Sequence, residues 1–312
     1  MSSPALKPYV WMLSGCVWFA AMTLFARAAS DLTDWPVVAV ARSGVATLVA
    51  IGMAFAARQA LIGTGPKSLW IRSLSGSFSM VCTFYALSRM PASDVLTFTN
   101  TFPSWIAILS WPLNNEKPTW GVWSAVAISI VGVTIVGHAQ ANEANSTFSF
   151  MAVVAALAAA FFSAVAMLGL NRLKGIAPLA VVVHFSAVSV LACGMAWLVM
   201  RFWPVAEPNV WPPPGPQLIA LLVATGATAA IGQLFLTLAY RSGSATKVSV
   251  VGLTQVVMVM IAEVALGWKS LNLVAVVGSI LVLGPTAYLM IRERKKPPPA
   301  ADETEMPETV MD

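Results

Sequence analysis

Long apolar stretches separated by short polar breaks make up most of the chain. A membrane-spanning helix needs about 20 mostly apolar residues. The breaks between the stretches contain turn-forming residues, as in "DLTDWP", "GTGPK" and "KGIAP". The pattern predicts ten spans, at 9–29, 36–57, 69–88, 92–112, 119–138, 149–170, 178–201, 217–240, 244–266 and 271–291.

The composition assigns the chain to the integral membrane proteins. It is 58% hydrophobic and 10% charged, whereas a soluble domain is about 45–50% apolar and about 25% charged. The first apolar stretch is long enough to span and has no clear cleavage site, so we expect no removable signal peptide. These features predict a multi-pass membrane protein in contact with membrane lipids. We expect it in the bacterial inner (cytoplasmic) membrane.

The basic residues predict the orientation of the spans. With both termini in the cytoplasm, 13 Lys and Arg residues fall on the cytoplasmic side and 4 on the other, as the positive-inside rule requires. Arg72 is counted here among the cytoplasmic residues. The tail at 292–312 is rich in Pro and charge and is predicted to be disordered. The net charge of +5 accompanies no nucleic-acid-binding motif, so no nucleic-acid partner is expected.

An internal repeat divides the chain into two halves. "TFYALSR" ends at Arg89 and "FLTLAYR" ends at Arg241, 152 residues later. "WFAAM" from Trp18 likewise matches "FFSAV" from Phe161. The repeats at 8–140 and 149–291 each hold five predicted spans, and an odd number inverts the second copy. The predicted fold class is an all-α polytopic membrane protein of two inverted five-helix repeats.

Several segments together resemble one transporter family. They are "GCVWFAAMTLFAR", "RSGVATLVA" and "FYALSRMPASDVLTFTNTFPSWIAILSW" followed by "NNEKPTWGVWSAVAISIVGVTIV". With them the chain resembles the drug/metabolite transporter superfamily, in its ten-helix EamA-type branch. Glu116 and Thr119 match the family's Gly-Glu-x-x-Thr pattern, whereas Asn115 replaces its Gly and Trp268 stands where the second copy usually has Glu. The resemblance implies transport of small metabolites, with the arginine of the second helix near the cavity mouth.

The predicted fourth span carries a polar face. Thr97, Thr101 and Ser104 share one side of the helix, and Asn100 lies beside them. Polar groups inside a membrane face a wet cavity or the bundle interior, so this face is predicted to line the substrate path. The alternative is that the hydroxyl groups bond to their own helix or to neighbouring helices. Pro103 is expected to kink the span near its middle.

Four ionisable residues within or near the spans are candidates for binding or coupling. Arg42 and His184 occupy equivalent positions in the two repeats. Arg42 either holds an anionic group or anchors the helix, and His184 either takes part in gating and proton coupling or is structural. Glu263 and Asp94 are candidate coupling residues. Interfacial placement of Glu263 and a helix-start role for Asp94 are the alternatives.

Other candidates for substrate binding are aromatic residues near the predicted pseudo-axis and polar residues that reach toward a cavity. Exposure to lipid is the alternative for the aromatic members. This group comprises Trp18, Phe19, Ser79, Tyr85, Phe162, Gln233, Thr237 and Gln255.

Motifs for chemistry are missing from the sequence. It has no Walker loop, HExxH or GxSxG motif, and Cys16, Cys82 and Cys193 lie in apolar stretches without a CxxC pair. No cofactor, metal site or enzymatic activity is expected. The predicted function is a secondary transporter that moves a small zwitterionic or anionic organic metabolite by alternating access, with export preferred. A membrane-embedded enzyme acting on a lipid or prenyl substrate and a passive facilitator remain alternatives, and a homodimer remains open.

Overall fold

The computed structural model describes residues 6–61, 65–87, 95, 98–114, 117–140, 150–202, 215–268 and 273–294. Across these ranges the regular structure is helical throughout, without a strand. The predictions on Asp94 and Thr97 lie outside the described residues, as does the predicted tail at 292–312 apart from residues 292–294, which are helical. The helices are α1 Lys7–Ser30, α2 Trp35–Ala56, α3 Lys67–Leu87, α4 Phe102–Asn114, α5 Trp120–Gln140, α6 Phe150–Leu170, α7 Pro178–Phe202, α8 Pro216–Ser242, α9 Ala245–Gly252, α10 Thr254–Ala265 and α11 Leu273–Arg294.

Proline marks the start of several helices. Pro8, Pro36 and Pro216 occupy the first or second position of α1, α2 and α8. The first N–H groups of a helix have no intrahelical acceptor, so a residue without an N–H loses nothing there. The short polar segments seen in the sequence therefore separate the helices close to the predicted boundaries.

Helix pairing joins segments that are distant in sequence. α1 packs along α8, α3 packs along α6, and α5 packs along α11, while α2 contacts both α7 and α8. Small residues allow the close approaches. A Cβ atom on Gly132 would lie 2.7 Å from the carbonyl oxygen of Gly278, and one on Gly226 would lie 2.4 Å from Cβ of Val45. Larger side chains at these positions would push α5 from α11 and α8 from α2.

The largest buried cluster lies where α1, α8 and α9 meet. Tyr9, Cys16, Leu236, Tyr240 and Val248 are buried there, together with residues of α3, α6 and α7. Because α1 belongs to the first predicted repeat and α8 and α9 to the second, the core is shared between the halves.

Six helical segments of the described part of the chain are long and apolar enough to cross a membrane. They are Lys7–Ser30, Trp35–Ala56, Phe150–Leu173, Pro178–Val199, Pro216–Ser242 and Ala245–Ala265. Three shorter apolar helices cover Phe102–Leu113, Trp120–Ile135 and Val276–Pro285. The protein is thus a helical, multi-pass membrane protein, and the count of ten spans stays a prediction.

Two predicted spans differ from continuous helices. The ninth, 244–266, is divided into α9 and α10 at Leu253. In the fourth, Asn100 and Thr101 form a turn, and α4 begins at Phe102. Pro103 therefore lies in the first turn of a helix, where proline is readily accommodated. A break takes the place of the kink that the sequence predicts.

Candidate functional site

The breaks in the fourth and ninth span regions have matching backbone hydrogen bonds. The N–H of Thr101 donates to the carbonyl of Phe98 at 3.2 Å, and that of Ser104 donates to Thr101 at 2.9 Å. In the second break, the N–H of Leu253 donates to the carbonyl of Val250 at 3.1 Å, and the N–H of Val256 donates to the carbonyl of Leu253 at 3.1 Å. All these positions are related by the 152-residue offset of the sequence repeat. Such i→i+3 turns interrupt the regular α-helical ladder.

Threonine hydroxyl groups bind the carbonyl oxygens at both breaks. The hydroxyl of Thr101 donates to Phe98 at 2.6 Å, and that of Thr254 donates to Val251 at 2.8 Å. The carbonyl oxygen of Phe98 also accepts from the N–H of Thr101, so the hydroxyl adds a second hydrogen bond to an oxygen already bonded at the break. The prediction that Thr101 lines the substrate path stays open, because a hydroxyl that donates can still accept a bond.

Two further groups lie at the breaks. The thiol of Cys16 is 3.5 Å from the carbonyl oxygen of Gly252, so α1 reaches the break between α9 and α10. Asn100 and Gln255 are half-buried. The side-chain amide of Asn100 makes no hydrogen bond to any residue that the structure describes, which leaves it available to a ligand.

The regions of the two breaks are in contact. Phe102, the first residue of α4, packs against a cluster that contains Leu253 and Val257. Further along the same helices, the hydroxyl of Thr246 lies 3.4 Å from that of Ser110. The half-buried polar residues of the fourth span therefore lie beside the interruption in the ninth.

Serine residues attach α3 to its neighbours. Ser79 donates to the carbonyl of Ala159 at 2.8 Å and lies 2.7 Å from the hydroxyl of Ser163 on α6. Ser73, on another side of α3, lies 2.8 Å from Nδ1 of His184 on α7. The predicted cavity residues Ser79 and His184 thus contribute to helix packing in this conformation.

His184 is held on two sides. Its side chain is 6% exposed, and the ring of Trp70 meets it edge-to-face at 4.6 Å between centroids. Its Nε2 is buried without a hydrogen-bond partner among the described residues. These contacts favour the structural alternative for His184, and its role in coupling stays a prediction.

Arg42 faces two methionine sulfur atoms. Its Nε lies 3.1 Å from the sulfur of Met22, and its Nη1 lies 2.8 Å from the sulfur of Met80. A thioether is a weak acceptor, and no ion pair of Arg42 occurs within the described ranges. The half-buried guanidinium is therefore available to an anionic group.

Arg72 lies in the interior of the protein rather than at the predicted cytoplasmic surface. Its side chain is 1% exposed, its Nη2 donates to Oε1 of Gln233 at 3.2 Å, and its guanidinium lies 4.2 Å from the ring centroid of Phe185. The sequence places Arg72 near the start of an apolar stretch, which is typical of an interfacial charge. Residues of α7 and α8, which are distant from Arg72 in sequence, bury its side chain.

Glu263 forms an ion pair with Arg27, near the C-terminal end of α1. The guanidinium of Arg27 also lies over the ring of Trp268 at 5.1 Å. Trp268 occupies the position where the family resemblance predicts a glutamate, and here it contacts the cation instead. The carboxylate of Glu263 thus has a charged partner, and its proposed role in coupling is untested.

The remaining candidates occupy different environments. Phe162 lies edge-to-face with Phe78 and Phe161, with centroids 4.7 and 5.4 Å away. Phe19 is buried against Gly232. Trp18 is 36% exposed, and Tyr85 is half-buried. The structure thus brings Phe19 into the packed interior, leaves Phe162 half-buried beside the exposed Phe78, and places Trp18 nearer a surface.

His, Cys, Asp and Glu side chains are spread through the described ranges. No group of three His, Cys, Asp or Glu residues in these ranges is arranged to hold a metal ion. Cys16, Cys82 and Cys193 are free thiols.

The first half of the chain matches a known protein family. Residues 6–137 match the EamA-like transporter family. These residues include α1, α2, α3 and the polar break before α4.

Curated relatives cover most of the chain. The pseudopaline exporter CntI of Pseudomonas aeruginosa is 26% identical over 234 residues, which are 74% of this chain and 78% of the relative. An uncharacterized transporter of Helicobacter pylori is 22% identical over 219 residues, covering 70% and 72% of the two chains. A solved crystal structure matches the fold with a TM-score of 0.76 at 17% identity, over 93% of this chain and 99% of the other.

The fold and these matches define a multi-pass integral membrane protein of the transporter class. Its first half matches the EamA-like transporter family and its relatives are named as transporters, which confirms the resemblance drawn from its sequence. A small-molecule solute and membrane lipids are therefore its partners.

Proposed function

We propose that the protein is a secondary transporter that moves a small anionic or zwitterionic organic metabolite across the cytoplasmic membrane. Transport occurs by alternating access between two inverted five-helix repeats, at 8–140 and 149–291. The observation that carries this proposal is the pair of matching breaks, at Thr101 and Leu253, which lie beside each other. Interrupted helices at a repeat interface are typical of sites that open to either side of a membrane in turn.

The helix pairing supports the inverted repeat. Exchanging the two halves converts the pair α3 and α6 into the pair α8 and α1, and both pairs pack closely. The same exchange converts the contact of α4 with α6 into the contacts of α9 and α10 with α1. A pseudo-two-fold axis between the halves accounts for both correspondences.

The charges of the interior favour an anionic group on the solute. Among the described residues, Arg42 hydrogen-bonds to thioether sulfur atoms, and Arg72 contacts a neutral amide and an aromatic ring. The carboxylate of Glu263 is already paired with Arg27. An interior with surplus positive charge suits a carboxylate-bearing solute better than a polycation.

Export is the preferred direction. The similarity to the pseudopaline exporter CntI supports it. The solute itself is assigned only as a small organic metabolite with an anionic or zwitterionic character.

Transport is tested with purified full-length protein in proteoliposomes. We expect saturable flux of at least one member of a radiolabelled panel of amino acids and organic acids, and accumulation against its gradient when a pH gradient is imposed. Flux that never exceeds the solute gradient would indicate a passive facilitator. No flux across the panel, with or without a pH gradient, would contradict the proposal, and turnover of a lipid or prenyl substrate would instead favour an enzyme.

A further inference from the structure

Arg72 differs from the arginine residues that stabilise helix ends in this protein. Arg172 donates through Nη2 to the carbonyl of Leu113 at 2.6 Å, and Arg241 donates to the carbonyl of Lys174. Both lie where helices end and carbonyl oxygens lack intrahelical partners. Arg72 instead points into the helix bundle, away from such carbonyls.

The guanidinium of Arg72 has unused donors. A guanidinium carries five N–H groups, and Nη2 contacts Gln233 at 3.2 Å. Nε and Nη1 are buried and have no hydrogen-bond partner among the described residues. An ionised group in a low-dielectric interior is costly unless it is paired. The unused N–H groups of Arg72 are therefore paired only when an anionic acceptor binds beside them.

One face of α8 presents polar groups to Arg72. Gln233, Thr237 and Tyr240 are spaced at i, i+4 and i+7, which places them on one side of the helix. Each is buried, and the hydroxyl groups of Thr237 and Tyr240 have no hydrogen-bond partner within the described ranges. Gln233 contacts Arg72 directly, so this side of α8 faces the guanidinium. These hydroxyl groups can donate to the same anion that Arg72 attracts.

Gly76 leaves the space that the guanidinium of Arg72 occupies. A Cβ atom at this position would lie 2.4 Å from Nη1 of Arg72 and 2.7 Å from the ring of Phe185. Gly76 is one turn after Arg72 on α3, so the arginine side chain lies along its own helix toward the middle of the span. Phe185 contacts the guanidinium from α7, at 4.2 Å from its ring centroid. Three helices thus fix the direction of the free donors.

We propose that Arg72, Thr237 and Tyr240 form a binding subsite for a carboxylate group of the transported solute, with Gln233 orienting the guanidinium. This subsite rests on the proposed transport function and names the group that the solute must carry. It is separate from Arg42, which contacts Met80 two turns further along α3 than Arg72. Because Arg72 is 1% exposed, a soluble carboxylate that enters between the helices fits the subsite better than a lipid headgroup at the surface.

Binding is tested by thermal unfolding of the purified full-length protein with three carboxylates, succinate, benzoate and L-glutamate, each compared with its fully amidated analogue. We expect at least one carboxylate to raise Tm by about 3 °C at ten times its Kd, and its amide to leave Tm unchanged. Arg72→Met should weaken binding of the carboxylate by about 30-fold or more. Arg172→Met, which removes a helix-end arginine, should keep the wild-type preference for carboxylate over amide.

The unfolding temperature without a ligand separates a binding role from a structural one. Arg72→Met removes a buried charge that lacks an anionic partner, so its Tm should equal or exceed that of the wild type. A fall in Tm of more than about 3 °C would show that Arg72 stabilises the fold and would overturn the assignment. Stabilisation of the wild type by no carboxylate, or by phosphatidylglycerol alone in nanodiscs, would overturn it as well.

Flux measurements distinguish this inference from the proposed function. Carboxylate binding that depends on Arg72 but is not accompanied by flux in proteoliposomes would leave the subsite intact and contradict transport. Flux in which Arg72→Met retains the full preference for carboxylate over amide would leave transport intact and overturn the subsite.

Discussion

The break before α4 and the break between α9 and α10 have the same backbone turns but different side chains. The first contains Asn100 and Thr101, both half-buried, followed by Pro103. The second contains Gly252 and Leu253, both buried, and no proline. Because the turns match without a matching proline, the interruption follows from the packing of the whole bundle rather than from one local helix-breaking residue.

The side chains indicate that the two breaks have different roles. Cys16 and Met12 of α1 cover the second break, where a Cβ atom on Gly252 would lie 2.7 Å from the methyl carbon of Met12. The amide of Asn100 at the first break makes no bond to the described residues. We therefore expect the second break to contribute mainly to stability and the first to contribute mainly to solute binding. Three variants test this contrast.

The largest effect is expected for Leu253→Ala. Leu253 is 1% exposed and packs with Val257 and Met260, so its truncation should lower the free energy of unfolding by about 2–4 kcal/mol. Chemical unfolding in detergent measures this loss. Transport per folded molecule should stay within about twofold of the wild type, because Leu253 offers no polar group to the solute. A twofold change corresponds to about 0.4 kcal/mol. If Leu253→Ala kept wild-type stability but lost transport, the second break would contribute mainly to transport, contrary to our expectation.

The next effect is expected for Asn100→Ala combined with Thr101→Ala. Loss of these polar contacts should reduce transport about tenfold, which corresponds to about 1.4 kcal/mol, while the free energy of unfolding changes by less than in Leu253→Ala. Initial rates in proteoliposomes measure the effect. Ser124→Ala removes an exposed hydroxyl that bonds only to Gly121 on its own helix and serves as the control. Normal transport by the folded double variant would exclude the first break from the solute path.

The smallest effect is expected for Pro103→Ala. The second break forms without a proline, so the first should persist when Pro103 is replaced. Proline at the start of a helix contributes little that alanine does not, and we expect a change in unfolding free energy below about 1 kcal/mol. Spectroscopic helix content and transport should both stay near wild-type values. A gain of helix together with a loss of transport would show that the proline creates the break.

Repeats and hydrophobic periodicity predicted much of this architecture from sequence. The 152-residue offset, read from Arg89 and Arg241, relates Thr101 to Leu253, and the structure has equivalent turns at these two positions. The polar residues of the fourth span likewise drew attention to the first break. The second break could not be found in this way, because "VVGLTQVV" is mostly apolar and a single glycine is tolerated within a helix.

Arg72 shows why part of the site was missed. Its neighbours Gln233 and Phe185 come from helices more than 100 residues away, so local sequence cannot distinguish a buried arginine from an interfacial one. The positive-inside rule counted it at the surface, and removing it from that side leaves the charge bias in the same direction. Nearby in the sequence, only Gly76 indicates that space is kept for the guanidinium. This role can be recognised only once the position of the Arg72 side chain is known.

The packing of α1 against the second half also has a consequence for the order of synthesis. Cys16 contacts a carbonyl 235 residues further along the chain, and α8, the main partner of α1, also belongs to the second half. At translation rates of about 5–20 residues per second, α1 waits roughly 10–50 s for these partners. During that interval the face of α1 that contains Gly15 and Cys16 meets lipid, the insertion machinery or other nascent helices. α1 thus enters the membrane before its main partners and reaches its native environment only after they have been made.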